Sequence, residues 1–167
     1  MKILLKDALS TQRLGIILGE TLTANTVILL EGDLGAGKTT LVQGIGKGLS
    51  IDEPIVSPTF TIINEYTHAR LPLYHLDLYR LETSEIIALN LETYWEGIEV
   101  SPGIVAIEWS QKLVYKPDAY LTIHLTNEHE NLYLEEANST VRFAEIIPFN
   151  CTLSDKILAL GKKHHSN

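Results

Sequence analysis

Gly32-Asp33-Leu34-Gly35-Ala36-Gly37-Lys38-Thr39 satisfies the phosphate-loop pattern G-x-x-x-x-G-K-[ST] at each fixed position, and this stretch decides the fold. Glycines let the backbone curl so that successive N–H groups converge on phosphate oxygens with no side chain in the way. Lys38 reaches the β- and γ-phosphates, and the Thr39 hydroxyl is a magnesium ligand. Gly35, Ala36, Gly37, Lys38, Thr39 and Thr40 are therefore the candidate nucleotide contacts. Upstream, Thr26-Val27-Ile28-Leu29-Leu30 is a short apolar, partly β-branched run of the kind that forms a buried strand. Downstream, Leu41, Ile45 and Leu49 recur at helical spacing. Strand, glycine loop and helix follow in the order that phosphate binding requires, with the helix N-terminus facing the anion.

The chain has 167 residues, 45% of them apolar, which suits one α/β domain spanning 1–167 with a sizeable core. Its 21 acidic and 13 basic residues give a formal charge of −8. A protein that grips nucleic acid unaided carries a basic excess or stripe. Any contact with RNA is therefore expected through a partner. Cys151 is the single cysteine, which excludes an intrachain disulfide and a zinc–thiolate cluster. The apolar run after Met1 is too short for a signal peptide, and no segment has the length of a membrane span. A soluble, cytoplasmic protein is expected.

The periodicities predict a helix over 8–22, with Ser10 or Thr11 as its cap and Leu14, Ile17, Leu18, Thr21 and Leu22 on one side. Gly44, Gly46 and Gly48 weaken the helix after the loop by up to about 1 kcal/mol each. Close packing and simple tolerance both account for them. Strands are expected over 55–67 and 71–79, joined by a turn around His68-Ala69-Arg70, and a helix over 84–95. Residues 103–109 form a buried strand ending in a carboxylate, and 120–126, 131–136 and 140–147 alternate as antiparallel strands do. A last helix starts at Ser154 or Asp155, with Ile157, Leu158 and Leu160 inward and Lys162, Lys163, His164 and His165 at its favourable C-terminal end. The expected architecture is a three-layer α/β P-loop NTPase fold with a mixed parallel and antiparallel sheet.

A triphosphatase also needs a carboxylate that holds the metal through water and a group that orients the attacking water. Glu108 emerges at the carboxyl end of a buried strand, where open α/β sheets place their ligands. Alternation in 73–80 puts His75, Asp77 and Tyr79 on one strand face, and Asp77 is the candidate water-orienting carboxylate. His75 by itself reads as structural. In Ser57-Pro58-Thr59-Phe60-Thr61 the hydroxyls alternate. That segment is either a γ-phosphate sensor, with Thr59 in the catalytic group, or a β-turn leading into a strand.

Residues 32–40, the Ser-Pro-Thr-Phe-Thr of 57–61, the His-Leu-Asp-Leu-Tyr-Arg-Leu of 75–81 and the Ile-Glu-Trp of 107–109 closely resemble the TsaE family, formerly YjeE, from about residue 8 to 126. These are bacterial ATPases of tRNA threonylcarbamoyladenosine synthesis. The resemblance implies binding and hydrolysis of ATP with Mg²⁺, in support of the TsaD and TsaB subunits that modify adenosine 37 of tRNA. It also implies that Thr39 and Glu108 hold magnesium, that Asp77 assists hydrolysis, that Trp109 shapes the site or its partner surface, and that Thr11 lies near the nucleotide. The acidic stretch Glu128-His129-Glu130-Asn131 departs from the basic character expected of that hairpin in the family.

Other readings compete. A GTPase would carry Asn-Lys-x-Asp, which is absent, and a small-molecule kinase usually has an arginine-bearing lid, whereas this chain has only Arg13, Arg70, Arg80 and Arg142. A nucleotide-sensing binding module with little hydrolysis is the remaining alternative, since few arginines leave no obvious group for transition-state charge.

Overall fold

The computed structural model describes residues 1–97, 99–129 and 140–162, with backbone alone at 128, 129, 140, 141 and 162. The expected strand over 131–136 and the residues Lys163, His164 and His165 lie outside them. Strand β2 (Thr26–Glu31) leads through the glycine loop into helix α2 (Lys38–Gly48). Around it are β1 (Lys2–Leu5), α1 (Ala8–Thr21), β3 (Ile63–Tyr66), β4 (Leu73–Asp77) and α3 (Thr83–Ala88). Then come α4 (Thr93–Glu96), β5 (Ile104–Glu108), β6 (Tyr120–His129), β7 (Thr140–Phe149) and α5 (Asp155–Lys162). The seven strands form one sheet in the order β1-β7-β6-β2-β5-β4-β3. Its middle four, β6-β2-β5-β4, are parallel, and antiparallel strands extend both edges.

Both faces of the parallel centre are covered, which is why β2 and β5 read as continuous apolar runs. Ile28, Leu30, Leu73, Ile104 and Ala106 join a core with Leu14 and Leu18 of α1 and Leu41 and Ile45 of α2. Val27, Leu29, Tyr74, Leu76, Val105 and Ile107 face the opposite way, onto Ile86, Leu91, Tyr94 and Trp95. These are the three layers. Leu41, Ile45 and Leu49 are fully buried, each contributing about 1.5–3 kcal/mol. Register sets Leu30 and Asp77 on either side of Glu108, at the carboxyl ends of three adjacent strands.

The helix glycines reflect close packing. A Cβ on Gly15 or Gly19 of α1 would run into the Leu41 or Ile45 carbonyl of α2. Reciprocally, one on Gly44 or Gly48 would strike the Gln12 or Ile16 carbonyl. Four glycines at i, i+4 spacing thus let the two backbones touch. Gly46 faces the Ile55 side chain instead.

Several local expectations are corrected. The α1 cap is Asp7, whose Oδ1 accepts from the Ser10 amide at 2.6 Å and its hydroxyl at 2.6 Å, rather than Ser10 or Thr11. Residues 55–62 are not strand: a turn in which the Ile62 amide donates to the Pro58 carbonyl at 2.6 Å precedes the short β3. The single helix over 84–95 is two, broken at Asn90 with φ of 46°. Leu158 is exposed, so the inward face of α5 rests on Ile157, with the half-buried Leu160 packed against the same core. β1 is an edge strand that the sequence reading did not identify. Among the described residues no helix is long and apolar enough to cross a membrane.

Candidate nucleotide site

The loop owes its shape to three left-handed positions, Gly32, Gly35 and Gly37, at φ of 135°, 79° and 102°. Gly37 is the N-cap of α2 and brings no side chain to the first-turn amides, leaving them free for an anion. Lys38 folds back on its own loop. Its Nζ donates to the Gly32 carbonyl at 2.6 Å and the Asp33 carbonyl at 2.9 Å, and stands 4.1 Å above the Trp109 ring. Burial pushes the Lys38 amine below the ordinary lysine range, against the opposing pull of Glu108, Asp77 and Asp33. The cation is held by two neutral carbonyl acceptors and the Trp109 face.

A cavity of about 270 Å³ opens over this loop. Gly35, Gly37, Lys38, Thr39 and Thr40 form its floor; Ser57, Thr59, Asp77, Tyr79, Glu108 and Trp109 form the facing wall. Thr39 Oγ1 donates to Glu108 Oε1 at 2.8 Å, and His75 Nε2 lies 2.8 Å from the same oxygen. Thr59 Oγ1 donates to Asp77 Oδ2 at 2.7 Å and lies 2.7 Å from Ser57 Oγ; the Tyr79 amide donates to Asp77 Oδ1 at 2.9 Å. The polar row His75–Asp77 is buried, not solvated. Residues 57–61 are thus both a turn and a wall of the cavity. Trp109, at φ of 59°, turns sharply out of β5, and its ring lies 4.8 Å from that of Tyr79.

Two candidates stand apart from the cavity lining. Thr11 is fully buried in α1, with its hydroxyl donating to the Asp7 carbonyl at 3.2 Å. Ala36 is buried, and its amide donates to the Asp33 carbonyl at 3.1 Å. Conversely, Arg142 of β7, one scattered arginine in the sequence, lies against the loop: a Cβ on Gly37 would come within 2.9 Å of its Nη1. Its Nε donates to Asn127 Oδ1 at 3.1 Å. Nothing local in the sequence signals this, because strand pairing alone carries β7 there. β7, which carries Arg142, lies on the side of β2 opposite to β5 and β4.

The donor chemistry suits magnesium. Among the described residues no group of three or more His, Cys, Asp or Glu side chains could cage a metal. Mg²⁺ needs no such cage, being held by one or two carboxylates, substrate phosphates and its own waters. The Thr39 hydroxyl keeps lone pairs while donating to Glu108, so this pair fits that mode.

Residues 5–137 match the family described as Threonylcarbamoyl adenosine biosynthesis protein TsaE. A "tRNA threonylcarbamoyladenosine biosynthesis protein TsaE" from Nostoc sp. is 68% identical over 156 residues, covering 93% of this chain and 91% of its own. The protein of the same description from Synechocystis sp. is 53% identical over 117 residues, covering 70% and 74%. Among solved structures, the crystal structure of YdiB from Bacillus subtilis superposes with a TM-score of 0.67 at 26% identity, covering 100% of this chain and 96% of that one.

Proposed function

The chain belongs to the TsaE family of threonylcarbamoyl adenosine biosynthesis proteins, and from that membership we propose that it is a magnesium-dependent ATPase that is slow alone and accelerated by TsaD and TsaB. The observation that carries this reading is the pair of buried carboxylates at adjacent strand ends, each hydrogen-bonded to a threonine on the cavity wall or floor. Thr39 and Glu108 would hold Mg²⁺, Glu108 through water; the ion, when bound, neutralises charge on the β- and γ-phosphate oxygens. Lys38 exchanges its two loop carbonyls for phosphate oxygens. Asp77, fixed at both oxygens by Thr59 and the Tyr79 amide, orients the attacking water. Thr59 reports the state of the γ-phosphate to the segment 57–61.

Two features support dependence on partners. Among the described residues no arginine pairs with Asp77 or Glu108: Arg142 lies against Gly37 from a strand on the other side of β2, and the Arg80 guanidinium is stacked on the Phe60 ring at 4.1 Å. Leu34 in the loop and Phe60 beside Thr59 are 76% and 81% exposed, apolar groups at a cavity mouth that suit coverage by protein. The formal charge of −8 favours tRNA contact through TsaD–TsaB rather than by this chain, with all of it taking place in the cytoplasm. The second reading, a nucleotide-sensing module with little hydrolysis, draws on the same want of an arginine paired with the two carboxylates among the described residues.

Phosphate release measured with and without the two partners separates the readings: partner addition is expected to raise turnover at least about tenfold. Partners that bind while turnover stays flat would favour the sensing module. Glu108→Ala is expected to lower Mg²⁺-dependent hydrolysis about 100-fold, while nucleotide affinity in EDTA changes less than about threefold. Equal hydrolysis by variant and parent removes Glu108 from its assigned role.

A further inference from the structure

His75 is fully buried in the middle of β4, on the sheet face otherwise filled by Ile28, Leu30, Leu73, Ile104 and Ala106. A side chain serving packing alone would be apolar here. Instead the imidazole leaves its Nδ1 without a hydrogen-bond partner among the described residues, at a cost of about 1–3 kcal/mol for a buried polar atom. Its other nitrogen explains what is gained. Nε2 lies 2.8 Å from Glu108 Oε1, and a carboxylate only accepts, so the ring carries its proton on Nε2 and donates it. Pairing of His75 with Ala106 puts it one same-face step behind Glu108, a diagonal neighbour across adjacent strands.

Oε1 thus receives two donors, Thr39 from the loop and His75 from β4, while Oε2 receives none among the described residues. With Thr39 alone, the carboxyl would be free to turn about its last bond and exchange its oxygens. We propose that His75 is a positioning residue for Glu108: its Nε2–H fixes one carboxylate oxygen and reserves the other for the water shell of a divalent cation. The inference rests on the reading of Glu108 as the metal-holding carboxylate. It makes affinity for Mg²⁺, and not for the nucleotide itself, the property His75 controls.

The test compares His75→Gln, whose amide nitrogen reaches the place of Nε2, with His75→Asn, whose amide reaches only that of Nδ1. His75→Leu, which fills space without a donor, is the second variant lacking the bond. Titration of Mg²⁺ into each protein with a fluorescent ADP analogue gives the half-saturating concentration; binding in EDTA gives the metal-free affinity. The variant without the bond is expected to need about tenfold more Mg²⁺, with EDTA affinity within about twofold of the parent, and His75→Gln to recover most of the loss. Equal Mg²⁺ requirements in Gln and Asn variants, or a parallel fall of affinity in EDTA, would overturn the proposal. So would loss of cooperative melting in both Asn and Leu variants, which assigns the ring to packing. Glu108→Gln in the same titration separates the two levels. If it shifts the Mg²⁺ requirement and the His75 variants do not, only the positioning role fails. If it shifts nothing, the metal reading of Glu108 fails and the positioning role with it.

Discussion

Lys38→Ala is expected to lower ATP affinity at least about 100-fold, close to 3 kcal/mol. The size follows from replacing charge-assisted bonds to phosphate, each contributing about 1.5–3 kcal/mol, with nothing. Lys38 Nζ already sits within the loop on the Gly32 and Asp33 carbonyls, so little reorganisation is needed to meet an anion. Lys38→Arg is not expected to rescue it: a planar fork does not match a position where Nζ makes two close carbonyl contacts below an indole ring. The readout is melting temperature. Parent protein gains stability from a ligand in excess of its Kd, and that gain should vanish in the variant. A variant that keeps the ATP-induced shift removes Lys38 from phosphate binding.

Gly44→Val is expected to destabilise the protein by about 3 kcal/mol and lower Tm by about 10 °C. Helix propensity alone would favour most residues over glycine by up to about 1 kcal/mol. The opposite sign is expected because any Cβ at position 44 meets the Gln12 carbonyl and the Gly15 Cα, which are backbone and cannot step aside. The two helices would have to separate, and α2 carries the phosphate loop at its N-terminus. A smaller pair of changes makes the argument sharper. Gly44→Ala should destabilise more than Gly46→Ala, since a Cβ at 46 meets the tip of the Ile55 side chain, which can rotate away. Equal melting of the two alanine variants would contradict the packing account.

The parts legible in the sequence are those whose cause is local. The glycine loop was readable because glycines permit the left-handed positions, and the helix that follows because its apolar spacing faces a sheet. Glu108 stood out because it closes an apolar run, a strand end of the kind where ligands collect in a parallel sheet, and Asp77 because strand alternation sets it on a polar face with His75 and Tyr79. Where local cues competed, the reading failed. Ser10 and Thr11 resemble caps as much as Asp7 does, and Asn90 breaks one periodic stretch into two helices by adopting a positive φ. β1 is short and half exposed at a sheet edge, so its pattern is faint.

The sequence by itself determined that a glycine loop joins a buried strand to a helix here, that Glu108 ends a second buried strand, and that the chain is of the α/β class. These follow from backbone preferences and short-range periodicity, which act within a few residues. Tertiary structure alone decided what the Glu108 carboxylate touches. Thr39 and Glu108 are 69 residues apart, and His75 and Glu108 are 33 apart. Strand order and register, with the seating of α2 on the sheet, bring such groups within 2.8 Å. The same holds for Arg142 against Gly37 and for the glycine seam between α1 and α2. The role of a buried histidine or a helical glycine is fixed by the surface opposite it, and that surface comes from elsewhere in the chain.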